Sequence, residues 1–181
     1  MNAQSLIRHI IPAVLAISVI LVYIKSQTAS AAEKTKKLQQ LTDSENFWKQ
    51  SESDIFEAIY DKLINKSHYG DHMLLLNKEE RIFLTMSILM IEVNNGGFDQ
   101  FFFNTRGHFN KSIIPSAIKI GASDIADICQ KALSIQKMKI DENDKMSRLD
   151  IECDSPFYKS KDDIEHLCVE YAKKHKSSFK Y

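Results

Sequence analysis

One short stretch of the chain concentrates side chains that could bind a polar ligand. The carboxylate of Glu92 is followed by four amide side chains, Asn94, Asn95, Gln100 and Asn104. Amides donate and accept hydrogen bonds together, so a cluster of them can bind a peptide backbone or a small polar molecule. If the fold buries Glu92, that carboxylate could also act as a general base. The pattern predicts a polar binding site, and we assign no catalytic residue from it.

Glycines and phenylalanines in the same stretch would shape this site. Gly96 and Gly97 follow the asparagines, and both residue types tolerate the positive φ at which helices end. A β-branched residue at either glycine should therefore damage folding. The phenylalanines with i, i+3, i+4 spacing, which would bury one helical face as scaffold, are Phe98, Phe101 and Phe102. Gly107 would make a second turn. A rigid corner and a polar pocket are both consistent with this pattern, with Phe98 and the amides as its recognition groups.

Helical periodicity lies on both sides of this corner. Apolar residues recur at helical spacing near 55–64, 82–93, 114–120, 125–133 and 164–171. Ser51 or Ser53, the Asn77–Glu80 pair, Ser112 and Ser123 have the types and positions of helix caps. Residues 137–148 are charged and predict a loop. Because no segment alternates with period two, we predict an all-α, compact domain of about five to seven helices, preceded by an N-terminal hydrophobic helix.

The N-terminal part of the chain predicts a membrane anchor. Residues 10–24 carry no charge, and as a helix they would span about 22 Å, somewhat less than the roughly 30 Å hydrocarbon core. Lys25 can extend to the interface, so a thin span is feasible. A signal peptide cleaved near Ala31 and a buried core helix are the alternatives. We divide the chain into an anchor or signal segment at 1–32, a linker at 33–46 and a helical domain at 47–181. The side of the membrane stays open.

Composition argues against several classes of function. The 24 basic and 24 acidic residues cancel, so the chain lacks the basic charge of a nucleic-acid-binding protein. Three cysteines without a CxxC pattern do not indicate a zinc site, although a Cys153–Cys168 bridge is possible in an exported domain. His68 and His72 are four residues apart with a glycine between them, which is a poor metal motif. We expect no metal and no cofactor.

The run EVNNGGFDQFFFN at 92–104 resembles the hallmark of a bacterial domain family of unknown function. That family is named after the C-terminal domain of a DNA-mimic protein that binds a transcription factor. The segments 76–81, 117–122 and 149–167 also resemble the family, and the likeness covers about residues 74–175. It implies an all-helical domain that acts, at most, by binding another protein.

DNA mimicry itself is not expected to carry over, because it needs rows of carboxylates at phosphate-like spacing. The candidate acids are interrupted by Lys139, Lys145 and Arg148. They are Asp141, Glu142, Asp144, Asp150, Glu152 and Asp154. We therefore expect a membrane-tethered protein-interaction module whose partner is a protein. The alternatives are a small hydrolase-like or ligand-sensing enzyme that uses Glu92, or a toxin-neutralising immunity protein.

Overall fold

Helices make up most of residues 46–179, the part of the chain that the computed structural model describes. The α-helices are α1 (Glu52–Lys66), α2 (Lys78–Thr105), α3 (Ile113–Ile120), α4 (Ser123–Gln136), α5 (Glu142–Leu149), α6 (Ser155–Tyr158) and α7 (Ile164–Lys174). A π-helical turn (Asp150–Asp154) joins α5 to α6, and short 3-10 segments lie at Phe47–Lys49, Met73–Leu75 and Lys176–Phe179. This part of the chain contains no strand and forms one compact unit, so the all-α prediction is confirmed for it.

No helix within 46–179 combines the length and the apolar character that a membrane crossing requires. The hydrophobic helix predicted at 10–24, the cleavage site near Ala31 and all but the last residue of the linker at 33–46 lie outside the described residues.

Local hydrogen bonds start the first two helices where the sequence indicated. The side chain of Ser51 accepts a bond from the backbone of Asp54 and caps α1. At the start of α2, the Asn77 side chain accepts from the Glu80 backbone, and the Glu80 carboxylate accepts from the Asn77 backbone. This reciprocal capping box satisfies two backbone donors that have no partner inside the helix.

The long helix α2 is the central element of the domain. It packs against α1, α3 and α7, and Phe83, Leu84 and Leu89 on it are completely buried. At the C-terminal end of the described chain, Phe179 inserts into the same core and stacks edge to face on Phe83, with ring centroids 5.8 Å apart. Burial of one such aromatic side chain stabilises the folded state by about 1.5–3 kcal/mol.

The loop predicted at 137–148 is wrong in its second half, where the structure has α5. Periodicity did not show this helix because few of its positions are apolar. Asp141 caps it by accepting from the backbone of Asn143, and Leu149 anchors it in the core. Lys145 buries its aliphatic stem and pairs with Glu142 one turn earlier, at 2.7 Å.

Two details of α3 and α4 also differ from the prediction. Ser112 and Ser123 make no capping bond at the helices they were expected to start. A side chain from the segment before α7 caps the first turn of α4 instead. Asp162 accepts from the backbone N–H of Ile125 at 3.1 Å. Ile118, within the apolar run predicted at 114–120, is 62% exposed.

Candidate functional site

The glycine pair breaks α2 into two helical halves. Gly96 has φ −166° and ψ 27°, and Gly97 has φ 74° and ψ −176°. Helical backbone resumes at once and continues to Thr105, after which Arg106 and Gly107 both adopt positive φ. The positive-φ reason for keeping glycine therefore applies to Gly97 and not to Gly96. At Gly96, an added Cβ would instead overlap the amide of Gln100.

Two side chains from the segment after α5 brace this kink. The buried carboxylate of Asp154 accepts from the backbone N–H of Phe98 at 2.8 Å. The hydroxyl of Tyr158 donates to the carbonyl of Val93 at 2.7 Å. The backbone leaves helical geometry between these two groups, and the two side chains provide hydrogen-bond partners on either side of the break. Burial raises the pKa of Asp154, and the Phe98 N–H opposes that shift.

Sequence reasoning did not identify Asp154 or Tyr158 as part of the site. The one signal in the sequence was that both residues fall in the segment 149–167, which resembles the family. That resemblance does not say which groups they contact. They lie 56 and 65 residues from their partners along the chain, and no local pattern reports contacts at that separation.

The phenylalanines of the corner divide between core and surface. Phe98 and Phe101 are completely buried and Phe102 nearly so, and Phe98 stacks edge to face on Phe157 at 5.8 Å. The Phe98 ring is buried in this structure and offers no exposed surface, and the recognition role expected of it stays a prediction. Phe103, which the periodicity left unassigned, is 81% exposed beside the same corner.

Three of the predicted polar residues form one cluster across the kink. The Oε2 atom of Glu92 accepts from Gln100 Nε2 at 2.9 Å and from Asn104 Nδ2 at 2.7 Å. A carboxylate only accepts, so both amides must present their NH2 groups to it. Nothing in the described part of the chain bonds to Glu92 Oε1 or to the Asn104 carbonyl oxygen, so both stay available for a ligand, whereas the Gln100 oxygen packs against Gly96. Asn94 and Asn95 are exposed outside this cluster.

Glu92 and Asn104 line a cleft of about 350 Å³, which we call the polar cleft. Its opposite wall comes from the end of α1 and the loop that follows it. The other polar residues lining it are Tyr60, Tyr69, Asp71, Thr105, Arg106 and His108. Burial and the nearby Glu92 raise the pKa of Tyr60, so its hydroxyl stays protonated at neutral pH and can donate. The cleft therefore offers donors and acceptors to a polar ligand.

Strained backbone is concentrated at this cleft. Among residues 46–179, three non-glycine residues have positive φ: His68 at 50°, Tyr69 at 60° and Arg106 at 49°. Two of these three, Tyr69 and Arg106, line the polar cleft. Left-handed backbone costs a non-glycine residue about 1–2 kcal/mol, and such strain clusters at sites of function.

The described residues contain no group of three or more His, Cys, Asp or Glu that could hold a metal ion. His68 and His72 contact each other edge to face, with ring centroids 5.2 Å apart. The three cysteines are all buried and free, so Cys153 and Cys168 form no bridge in this structure. Burial raises the pKa of Cys129 to about 12 and of Cys153 to about 11, which makes both thiols poor nucleophiles.

Comparison with known proteins adds one match. A family model described as DMP19-like protein matches residues 75–175, which are 101 of the 181 residues. None of the curated proteins and none of the solved structures matches the chain. The matched range contains the kink, its brace and the Glu92 cluster. It does not contain Tyr60, Tyr69 and Asp71 on the opposite wall of the polar cleft.

Proposed function

Since this chain belongs to the DMP19-like protein family, we propose that it is a membrane-tethered interaction module that binds a partner protein at the polar cleft. The observation that carries the proposal is the strained, prearranged construction of this cleft. One wall is the Glu92 cluster fixed by two amides, and Tyr69 and Arg106 hold left-handed backbone at its edge.

The chemistry of the cleft favours a polar segment of a partner. The free oxygens of Glu92 and Asn104 would accept from backbone N–H groups or basic side chains, and Arg106 would donate to a carbonyl or carboxylate. Exposed Phe103 next to Asn104 adds an apolar anchor, and aromatic and Arg side chains dominate binding energy at many interfaces.

The pairing of the acidic residues supports an interaction role without DNA mimicry. Asp154 is buried and binds the Phe98 backbone, so it cannot present charge. Glu152 pairs with Arg148 at 2.7 Å and with Lys131 at 2.8 Å. Paired and buried carboxylates do not form the open row of negative charge that would resemble a phosphate backbone.

The tether is proposed from the sequence of residues 10–24 alone, with export after cleavage near Ala31 as its alternative. Its test is the size and location of the mature chain. A full-length chain that stays with the membrane after alkaline carbonate washing supports the anchor, and a chain shortened by about 31 residues contradicts it.

The binding proposal is tested by capture after crosslinking in the native membrane, with a C-terminal tag on the full-length chain. The test variants are Tyr69→Gly and Arg106→Gly, and the matched control is His68→Gly. All three relieve left-handed backbone, but His68 does not line the cleft. We expect all three to melt no lower than the parent chain, because glycine adopts this conformation freely.

The expected result is one partner captured by the parent and by His68→Gly, with at least about tenfold less in the two cleft variants. Equal capture by all four chains, or no partner with any of them, would overturn the proposal. A toxin as the captured partner would give the module the role of an immunity protein.

An enzymatic or ligand-sensing role is the second candidate, and the concave cleft with Glu92 on its wall favours it. Here Glu92 Oε1 would act on the ligand while the two amides hold Oε2. Turnover of small ester or amide substrates that is lost in Glu92→Gln, with melting unchanged, would support this role. Partner capture that persists in Glu92→Gln, without any turnover by the parent, would contradict it.

A further inference from the structure

A second concavity, which we call the basic groove, lies between the first half of α2 and the chain from His108 to Lys119. It has a volume of about 450 Å³. Its apolar surface comes from Met73, Ile82, Phe109 and Pro115. Phe109 and His108 border the polar cleft as well, but the other lining residues are distinct.

The charged side chains of this groove are all of one sign. Lys78 and Arg81 stand on the α2 wall, and Lys111 and Lys119 on the opposite wall. None of the side chains that line it within 46–179 is an acid. Lys78 and Lys119 also border a hollow that contains Glu79 and Glu170, yet the described ion pairs include neither lysine. Arg81 donates to the backbone carbonyl of Leu76 at 2.9 Å, which leaves its charge unpaired by any acid of the groove. The cations on both walls therefore suit a negatively charged ligand.

A buried hydroxyl without a partner lies in the same place. Thr85 is completely buried, lines the groove, and its Oγ1 has no hydrogen-bond partner among residues 46–179. Ser87, two residues further along α2 and equally buried, does bond to the carbonyl of Phe83 at 2.9 Å. Since buried polar groups are nearly always satisfied, the unpaired Thr85 hydroxyl is a further unusual feature of this surface.

Exposed leucines extend the apolar surface beyond the groove. Leu74 and Leu75 directly follow Met73 in a 3-10 turn and are 91% and 55% exposed. Large apolar side chains exposed next to a cavity are typical of a surface that binds another molecule.

We propose that the basic groove binds an acidic amphipathic helix of a partner protein. Such a helix presents an apolar stripe flanked on both sides by carboxylates, which matches an apolar groove with cations on both walls. A fatty acid would place one carboxylate at one end and leave the second wall unpaired. An anionic membrane is flat and cannot fill a groove. This inference extends the interaction role to a second surface, and it is tested separately because none of the residues varied lines the polar cleft.

The test is fluorescence anisotropy with the full-length chain in phosphatidylcholine nanodiscs. The probe is a labelled helical peptide of roughly 18 residues with a leucine stripe flanked by glutamates. A second peptide replaces each glutamate with lysine, and a third replaces each leucine with serine. The test variant is Lys111→Glu/Lys119→Glu. The matched control, Lys137→Glu/Lys139→Glu, makes the same charge change at exposed positions outside the groove.

The proposal is supported if the glutamate–leucine peptide binds and the other two peptides do not. Its affinity should fall about tenfold in the test variant and less than about twofold in the control. Equal binding of the serine peptide, equal loss in both variants, or no binding of the first peptide would overturn it. If the groove instead binds an anionic membrane, no peptide should bind, and added phosphatidylserine should protect Lys111 and Lys119 from amine acylation. That pattern would also overturn the proposal.

Discussion

Replacing Gly97 with alanine should destabilise the domain severely, and the structure separates two causes. The backbone at φ 74°, ψ −176° belongs almost only to glycine, and forcing alanine into it costs about 1–3 kcal/mol. The added Cβ would also overlap Asp154 Oδ2 and lie 2.9 Å from its Cγ. The carboxylate must then move and give up its bond to the Phe98 N–H. Loss of a hydrogen bond to a charged group costs about 1.5–3 kcal/mol, so the total is about 2.5–6 kcal/mol.

The control is Gly121→Ala, which shares positive φ but not the contact. Gly121 has φ 91°, and a Cβ there would meet nothing within 4 Å. Its substitution should cost about 1–2 kcal/mol of backbone strain alone. The free energy of unfolding is measured by urea titration of the full-length chain in detergent micelles. The single tryptophan, Trp48, reports the transition because it packs edge to face on buried Phe47.

A double-mutant cycle with Asp154→Ala tests the assigned mechanism. When the carboxylate is absent, Gly97→Ala should lose only the strain term, so the two substitutions should be non-additive by about 1.5–3 kcal/mol. Additive losses would refute the role of Asp154 as the brace. Equal losses for Gly97→Ala and Gly121→Ala would refute the whole account of the kink.

Three further predictions concern buried and paired groups. Thr85→Val should raise the free energy of unfolding by about 1 kcal/mol because it removes an unsatisfied hydroxyl. Ser87→Ala, which removes a hydroxyl that is hydrogen-bonded, should lower it. A lower free energy of unfolding in Thr85→Val would show that the Thr85 hydroxyl has a partner. Arg148 and Lys131 lower the pKa of Glu152 to about 2 from 4.5, so this pairing stabilises the fold above pH 4.5, and the contribution disappears as the pH falls toward 2. Melting curves from pH 6 to 2 should therefore decline less steeply for Glu152→Gln, and parallel curves would contradict the assignment. The three buried thiols should react with Ellman's reagent only after unfolding, and fast labelling of the native chain would contradict their burial.

Local chemistry in the sequence determined the helical class and much of the corner. Ser51 and the Asn77–Glu80 pair cap helices through bonds that span three residues, and such bonds can be read from spacing. The same holds for the buried face of Phe98 and Phe101, because helix periodicity places them together before any tertiary contact forms.

Only the tertiary structure decided which side chains the corner brings together. Which amides bind Glu92 depended on the angle of the kink, and Asn94 and Asn95 fall outside the cluster although they are nearer in sequence. The brace from Asp154 comes from 56 residues away, and α5 forms where packing rather than apolar periodicity stabilises it. Short-range hydrogen bonds and helix periodicity are encoded within a few residues. A cleft or a brace depends on how distant elements pack, and their packing is a property of the whole folded chain.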